Sequence, residues 1–501
     1  MRRSGNSCVG LWLALWALPM ALPAQEKPQL QVNWDKEQLV LKTSATLQVV
    51  VNPLLRRGSR IHDQAFAALR QLSADYVRYV PWLPYPRLAV AELEPPTSER
   101  TSWDFSLIDP MTLDFLEATA GHPVILNFST IPAWLFQTEA PVTWPKDPDQ
   151  VFWSYTKGAE LREGGLEELG QYYARLVSWY TQGGFTDELG QRHTSNHRFK
   201  IPYWEVFNEP DIEHQTTAEQ YTARYDAVVS AIRAVEPEMK FVGLSLAYPS
   251  THPEMFEYFL NPKNHQPGIP LDLISYHFYA VPTKTQTVDH WQYTLFDQAD
   301  RFLATVRYVE AIRKRLSPQT KTTLNELGTI LPTDWHPDTP YAPDPPIPKA
   351  YWNLSGALYA YLYLEVAKLG IDIAGESQLV GYPSQFPSVT MIDWTTGEPN
   401  ARYRVLKLIH DHLAPGDLLA RTRLVDQDIA AQGFRTARGN KLLLINKRNR
   451  DATVNLAQEI REGTLEAVDV MSGSTAPSPM GLSGKSVTLR PFSVAIVTLG
   501  R

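Results

Sequence analysis

From Ala45 to Leu413, short β-branched runs alternate with amphipathic helical stretches, and this alternation constrains the fold more than any other feature of the 501-residue chain. The runs are Thr46–Val51 (TLQVVV), Asp75–Val80 (DYVRYV), Pro123–Phe128 (PVILNF), Tyr203–Asn208 (YWEVFN), Phe241–Leu246 (FVGLSL), Leu271–Tyr279 (LDLISYHFY), Lys321–Glu326 (KTTLNE) and Ile373–Val380 (IAGESQLV). Their near-continuous apolarity fits a parallel sheet buried on both faces. Eight such runs with intervening helices predict a (β/α)8 TIM barrel with long loops. A doubly wound open sheet is the alternative, and no Gly-rich nucleotide fingerprint follows the first strands to favour it. The cleanest helix follows the fourth run: Tyr225, Val228, Val229, Ile232 and Val235 share one face. Thr216 with Glu219 three residues later predicts a capping box at its start, and Pro237 stops it.

After His410–Leu419 the helical period ends. Lys441–Asn446, Thr464–Met471, Ser486–Arg490 and Phe492–Leu499 read as short strands separated by turn residues, which predicts an antiparallel β-sandwich. The expected divisions are a signal peptide over 1–24, strands over 25–44 that join the sandwich or cover the barrel floor, the barrel over 45–415 and the sandwich over 416–501. The signal peptide rests on Arg2 and Arg3 before the apolar run Val9–Ala24, which ends in small residues. It implies an exported protein, periplasmic or secreted, with no membrane association after its removal. The only cysteine, Cys8, lies in this segment, so a mature chain has no disulfide, cysteine-ligated zinc or cysteine nucleophile.

A net charge of −7 and no long basic run argue against nucleic acid or anionic membranes as partners. No His-Glu-x-x-His, Walker loop, EF-hand loop or Gly-x-Ser-x-Gly elbow is present, so neither a metal nor a cofactor is expected. The sequons at Asn127 and Asn353 read as chance. Oligomeric state is left open.

In such a barrel, residues at the C-terminal strand ends converge on one face. Glu209 closes the fourth strand and Glu326 the seventh, each preceded by Asn. Two facing carboxyls are what glycoside hydrolysis needs, one protonated to serve the leaving oxygen and one ionised toward the anomeric carbon. Asn208 is placed to donate to a sugar 2-OH, with a turn-capping amide as the plainer reading. Glu205 shares strand parity with Glu209, and only depth separates them, since Glu209 sits at the strand end.

WEVFNEP on the fourth strand and TTLNELG on the seventh resemble clan A of the retaining glycoside hydrolases, most of all family 39, which includes β-xylosidases and α-L-iduronidases. The resemblance implies a carbohydrate substrate, Glu209 as acid/base, Glu326 as nucleophile and Asn208 as the 2-OH ligand. It also implies that Arg78 in YVRYVPW holds the nucleophile ionised, and that His277 and Tyr279 in ISYHFYA contact sugar and nucleophile. Trp134 and Trp394 are expected to stack on sugar faces, as aromatic rings do on apolar C–H surfaces, with Trp82 and Trp335 as weaker candidates. Phe207 stands where family 39 commonly has Trp, and LGTIL after Glu326 departs from β-xylosidase patterns. Glu376 is an extra acid near the end of the eighth strand, able to bind a hydroxyl, pair with a cation or modulate the acid. The leading expectation is an exo-acting β-xylosidase-like enzyme, followed by an α-L-arabinofuranosidase or an endo-acting polysaccharide hydrolase. A non-catalytic carbohydrate binder on the same scaffold and a metal-dependent barrel hydrolase are the rivals. The Phe136–Leu161 loop is expected to decide between pocket and groove.

Overall fold

The computed structural model describes residues 29–334, 346–383 and 385–500. The predicted signal peptide and Trp335 lie outside the described residues. Eight parallel strands close into a barrel: Ser44–Val50, Val77–Val80, Val124–Leu126, Tyr203–Glu205, Lys240–Leu246, Leu273–Ala280, Lys321–Thr329 and Ile373–Glu376. Each falls within or against one of the eight apolar runs, and the last pairs with the first through Ile373↔Ser44 to Glu376↔Leu47.

The barrel interior is layered. Ile125, Tyr203, Val242, Leu273 and Ile373 form an apolar cluster at the floor. Above them lies a buried polar layer of Gln48, Arg78, Asn127, Glu205, Ser275 and Asn325. Side chains of opposite parity, such as Tyr79, Trp204 and Leu324, join the large core shared with the helices. Trp204 lies parallel to Phe128 there, with centroids 5.7 Å apart.

The helix Ala218–Val235 buries Tyr225, Val228, Val229 and Ile232, with Val235 partly buried at its end. Its capping box is one residue later than expected. Thr217 accepts from the amide of Gln220, whose side chain bonds the Thr217 amide in return. Thr216 is instead buried, and its hydroxyl donates to the Pro210 carbonyl at 2.8 Å. With its hydroxyl engaged on the loop side, Thr216 leaves the cap to Thr217, and sequence spacing does not reveal that choice.

The C-terminal sheet is mostly antiparallel, in the order Gln29–Val40, Leu418–Arg423, Ile429–Thr436, Gly439–Asn446, Val494–Leu499, Ala452–Val468, Met480–Leu489. Gln29–Val40 also pairs in parallel with the start of Ala452–Val468, so the hydrogen-bonded series turns back on itself. Alternation divides its side chains. Leu442, Leu444, Ala495 and Val497 fill the core of the sheet domain, whereas Leu443, Ile445, Val494 and Ile496 belong to the core shared with the barrel. This two-sided burial explains why KLLLIN and FSVAIVTL lack polar alternation.

Arg402 and Glu376 form an ion pair, Nε to Oε1 at 2.9 Å, with both side chains fully buried. Glu376 therefore pairs with a cation and does not line the cavity. Burial pushes its carboxyl up to about 7, against the pull of Arg402. Arg402 also donates to the carbonyls of Ser377 and Ser388 and so braces the turn after the eighth strand. Arg402→Met is expected to destabilise the fold by about 3–5 kcal/mol, because it strands a buried carboxyl. A carboxyl whose folded pKa lies above its unfolded value opposes folding once the pH exceeds the unfolded value. The deficit in a denaturant titration is thus expected to widen as the pH rises above about 7, where the wild-type carboxyl ionises beside Arg402 while the variant's, without that cation, stays protonated.

Candidate active site

Simple alternation does not deliver the two carboxyls to one face; local distortions do. On the seventh strand, Thr323 pairs with Ser275 and Glu326 with His277, with a register shift between them. This irregularity lets Asn325 reach the polar layer below while its neighbour Glu326 also faces inward, the re-aiming that bulges perform beside active sites. On the fourth strand the chain leaves extended geometry, with Phe207 at φ 67° and Glu209 at φ 42°. Strain of this kind persists only where surrounding contacts over-determine it. The Phe207 carbonyl accepts from Asn127 at 2.9 Å, its ring packs edge-on against Tyr173 and Tyr221, and the Glu209 amide donates to the Ser245 carbonyl at 2.9 Å. The fifth strand answers with its own bulge at Leu244 and Ser245, both at positive φ.

Glu326 accepts from Arg78 Nη1 at 2.5 Å through Oε1 and from the Tyr279 hydroxyl at 2.6 Å through Oε2. Arg78 is buried and spends every N–H on the site. It also donates to Glu205, to Gln48 at 2.7 Å, to Asn208 at 2.7 Å and to Ser245 at 3.1 Å. Glu209 bonds His277 Nδ1 at 2.8 Å, and His277 Nε2 bonds the Ser245 hydroxyl at 3.0 Å. Tyr279 reaches Ser377 as well, at 2.6 Å.

The two carboxyls are driven apart in acidity. Burial raises Glu209, more than the His277 hydrogen bond lowers it, and the Glu326 charge adds to the rise. Burial also acts on Glu326, but His277, Arg78 and the Tyr279 hydroxyl outweigh it and hold that carboxyl below its ordinary range. His277 is disfavoured as a cation by burial, yet the Glu326 and Glu209 carboxylates raise it overall. A raised and a lowered carboxyl side by side form the acid and anion pair that acid/base chemistry requires.

All four acids of YWEVFNEPDIEH can now be assigned. Glu205 lies in the polar layer, held by Arg78, by Asn127 at 2.6 Å and by Asn325 at 2.7 Å. Glu209 faces the cavity. Asp211 accepts from the amides of Ala247 and Tyr248, fixing the loop after the fifth strand. Glu213 also faces the cavity and accepts from Asn208 Nδ2 at 2.9 Å and Trp82 Nε1 at 2.7 Å.

The cavity above the carboxyls encloses about 830 Å³. Trp82, Trp153 and Phe386 form one wall, with centroids 5.0–6.2 Å apart. Trp153 comes from the Phe136–Leu161 loop, whose ends are joined by a bridge between those two residues. Neither Trp134 nor Trp394 lines the cavity. Trp134 donates to the Glu92 carbonyl at 2.9 Å, and Arg162 lies over its ring at 4.7 Å. Trp394 packs against the large core. Neither therefore stacks on a sugar there as the sequence predicts, because a tryptophan at a loop start carries no sequence mark of which way its ring turns. Trp153, Phe386 and Glu213 were missed for the same reason, although Glu213 sits one helical turn beyond Glu209, a spacing that returns a side chain to the same face.

Glu209, His277 and Glu326 each present an atom within 4.8 Å of the others, close enough to hold a cation. The positive charge such an ion supplies is already delivered by Arg78 on Glu326, and both nitrogens of His277 are engaged.

Residues 185–347 match the model for Glycosyl hydrolases family 39. The match spans about a third of the chain and contains Asn208, Glu209, His277, Tyr279 and Glu326. It bears out the likeness to family 39 and, with the barrel, supports a glycoside hydrolase. No curated protein matches by sequence. Among solved structures, the GH51 arabinofuranosidase from Xanthomonas axonopodis pv. citri is similar at a TM-score of 0.64 and 12% identity, covering 95% of this chain and 100% of that one. A GH30 endoxylanase from Clostridium papyrosolvens gives 0.58 and 12%, covering 94% and 100%. A glucosidase from Croceicoccus marinus gives 0.59 and 16%, covering 95% and 99%. These likenesses establish a shared fold over nearly the whole chain.

Proposed function

We propose that the protein is a retaining glycoside hydrolase that works by double displacement. The observation that carries this reading is the approach of Glu209 and Glu326, whose carboxyl oxygens come within 4.8 Å. Retaining enzymes hold their carboxyls about 5–5.5 Å apart, whereas inverting ones leave about 6.5–9.5 Å for a water. Glu209, with its raised pKa, protonates the departing oxygen. Glu326, held ionised, attacks the anomeric carbon and forms a covalent glycosyl-enzyme. Glu209, now a carboxylate, takes a proton from the incoming water, and the sugar leaves with its configuration retained. Asn208 offers its remaining N–H to the sugar 2-OH.

The leading substrate reading is a pentoside released by an exo-acting, β-xylosidase-like enzyme. An α-L-arabinofuranosidase is the nearest alternative. The cavity volume falls in the upper part of the range for ligand sites, roughly 300–1,000 Å³. With Tyr248 and Ile212 exposed at its lining, this favours an endo-acting polysaccharide hydrolase as the second reading. A non-catalytic binder has no use for two carboxyls of opposed acidity. Arg2, Arg3 and the apolar run to Ala24 support export to the periplasm or the cell exterior.

The pH profile tests the assignment of the acid. Activity needs Glu326 ionised and Glu209 protonated, so kcat/KM is expected to rise below the ordinary carboxylate range and fall above it. Glu209→Gln is expected to abolish the alkaline limb and lower kcat by about 10²–10⁴-fold on substrates with poor leaving groups. An alkaline limb that persists in this variant belongs to another group and removes Glu209 from the role.

A further inference from the structure

Glu213 is the cavity carboxyl for which the double displacement has no use. It is brought there by a single turn: the amide of Glu213 donates to the Glu209 carbonyl at 2.8 Å, and its side chain returns over the strand end. There one oxygen, Oε1, accepts from both Asn208 Nδ2 and Trp82 Nε1. The Asn208 amide is thereby held from both ends, since its Oδ1 accepts from Arg78. Asn208 lines the cavity, and besides the N–H on Glu213 its Nδ2 has no further hydrogen-bond partner among the described residues. The same carboxyl fixes the tryptophan of the aromatic wall.

The ionisable groups around this point are mostly acidic. Three glutamates line the cavity, Glu209, Glu213 and Glu326, and the cationic or titratable bases among its described lining residues are Arg301 and His277. Arg301 pairs with Asp297 at 2.9 Å, and His277 is bonded through both nitrogens. Arg78 beneath has no N–H to spare.

We propose, on the reading of the site as a retaining glycosidase, that Glu213 is a positioning residue that locks Asn208 onto the glycone 2-hydroxyl in a subsite built for neutral sugars, excluding uronic acids. Burial keeps the Glu213 carboxyl well above its ordinary range despite hydrogen bonds from Asn208 and Trp82, with Glu209 and Glu326 adding to the rise. A carboxylate carried in on a substrate meets the same desolvation, with the ionised Glu326 beside it. Charged sugars bind where an Arg or Lys converges on the reacting groups, and the one such cation among the described lining residues with N–H groups to offer, Arg301, is solvent-exposed and shared with Asp297.

The test compares wild type, Glu213→Gln and Glu213→Ala on three substrates. They are the neutral aryl glycoside or oligosaccharide that wild type cleaves fastest, its 2-deoxy analogue, and the uronide of the same anomeric configuration. Wild type is expected to favour the neutral substrate over the uronide by at least about 100-fold. Glutamine keeps an oxygen for both donors, so Glu213→Gln is expected to stay within about threefold of wild type. Glu213→Ala is expected to lose about 100-fold in kcat/KM on the neutral substrate and less than about tenfold on the 2-deoxy analogue, which has no hydroxyl for Asn208. Equal losses on the neutral substrate and its 2-deoxy analogue, a Gln variant as impaired as Ala, or a uronide cleaved within tenfold of the neutral sugar each overturn the proposal. Glu326→Ala on the same neutral substrate keeps the two questions apart. If that variant retains full turnover, the glycosidase assignment itself fails, whatever position 213 does.

Discussion

Glu326→Ala is expected to lower kcat/KM on an aryl glycoside by about 10⁵-fold, on the order seen when a covalent nucleophile is removed. The variant should fold, because Arg78 keeps Glu205, Gln48, Asn208 and Ser245 as partners. Azide is small enough to occupy the space vacated by the carboxylate. It is expected to restore part of the turnover and to give a glycosyl azide of inverted configuration, since one displacement then replaces two. Mass spectrometry and proton NMR of the product check this. A variant without azide rescue but with wild-type turnover places the nucleophile elsewhere.

A stability effect as large as that at Arg402, joined to a loss of activity, is expected at Arg78. This cation is buried between two carboxyls and donates to five acceptors. Arg78→Met leaves Glu205 and Glu326 without a counter-charge, which is expected to cost about 3–5 kcal/mol. Activity is expected to fall as well, by about 10²–10³-fold, the loss typical of one preorganised electrostatic group. Glu326 is held below its ordinary pKa by His277 and Arg78, and this depression stabilises the fold above the ordinary value and is lost as pH falls through the lowered one. Removing Arg78 therefore raises Glu326 and moves the acidic limb of kcat/KM to higher pH. Arg78→Lys restores a charge but only three donors, so it is expected to fall between wild type and Met. Denaturant titrations and pH–rate profiles of the three proteins test both halves. An unshifted acidic limb in Arg78→Met means that Arg78 does not tune Glu326.

The barrel was legible because its eight strands are buried on both faces, which makes most of them near-continuous apolar or β-branched runs alternating with helical stretches. Leu418–Arg423 and Ile429–Thr436 were less visible. Arg421, Thr422 and Arg423 interrupt the first, and Gln432 and Gly433 the second, so neither gives a clean apolar or alternating signal. The hairpin Gly184–Thr186 and Arg192–Thr194 has strands of three residues, too short for any period to register. The site divides along similar lines. Glu209, Glu326, Arg78, His277 and Tyr279 sit on or next to strand ends, and barrel geometry brings them together. Parity alone gave no route for Asn325 and Glu326 to face inward together; the seventh-strand bulge supplies it, and a bulge leaves no mark in a hydrophobic pattern. The aromatic wall is made by Trp82, Trp153 and Phe386 from three separate loops, and loop geometry decides which ring meets the cavity. That is why Trp82 lines the cavity and Trp134 and Trp394 do not. Glu376 has the same origin: its partner Arg402 lies on the last barrel helix, Ala401–His412, beyond the reach of any local rule.

The most direct test of the double displacement is the configuration of the first-formed sugar, followed by proton NMR from the start of hydrolysis of an anomerically pure substrate. Retention is the predicted result, because Glu209 and Glu326 present oxygens within 4.8 Å of each other, which fits the roughly 5–5.5 Å of retaining enzymes and not the roughly 6.5–9.5 Å that inverting ones leave for a water. First-formed sugar of inverted configuration would contradict a glycosyl-enzyme on Glu326 and, with it, the roles assigned to both glutamates.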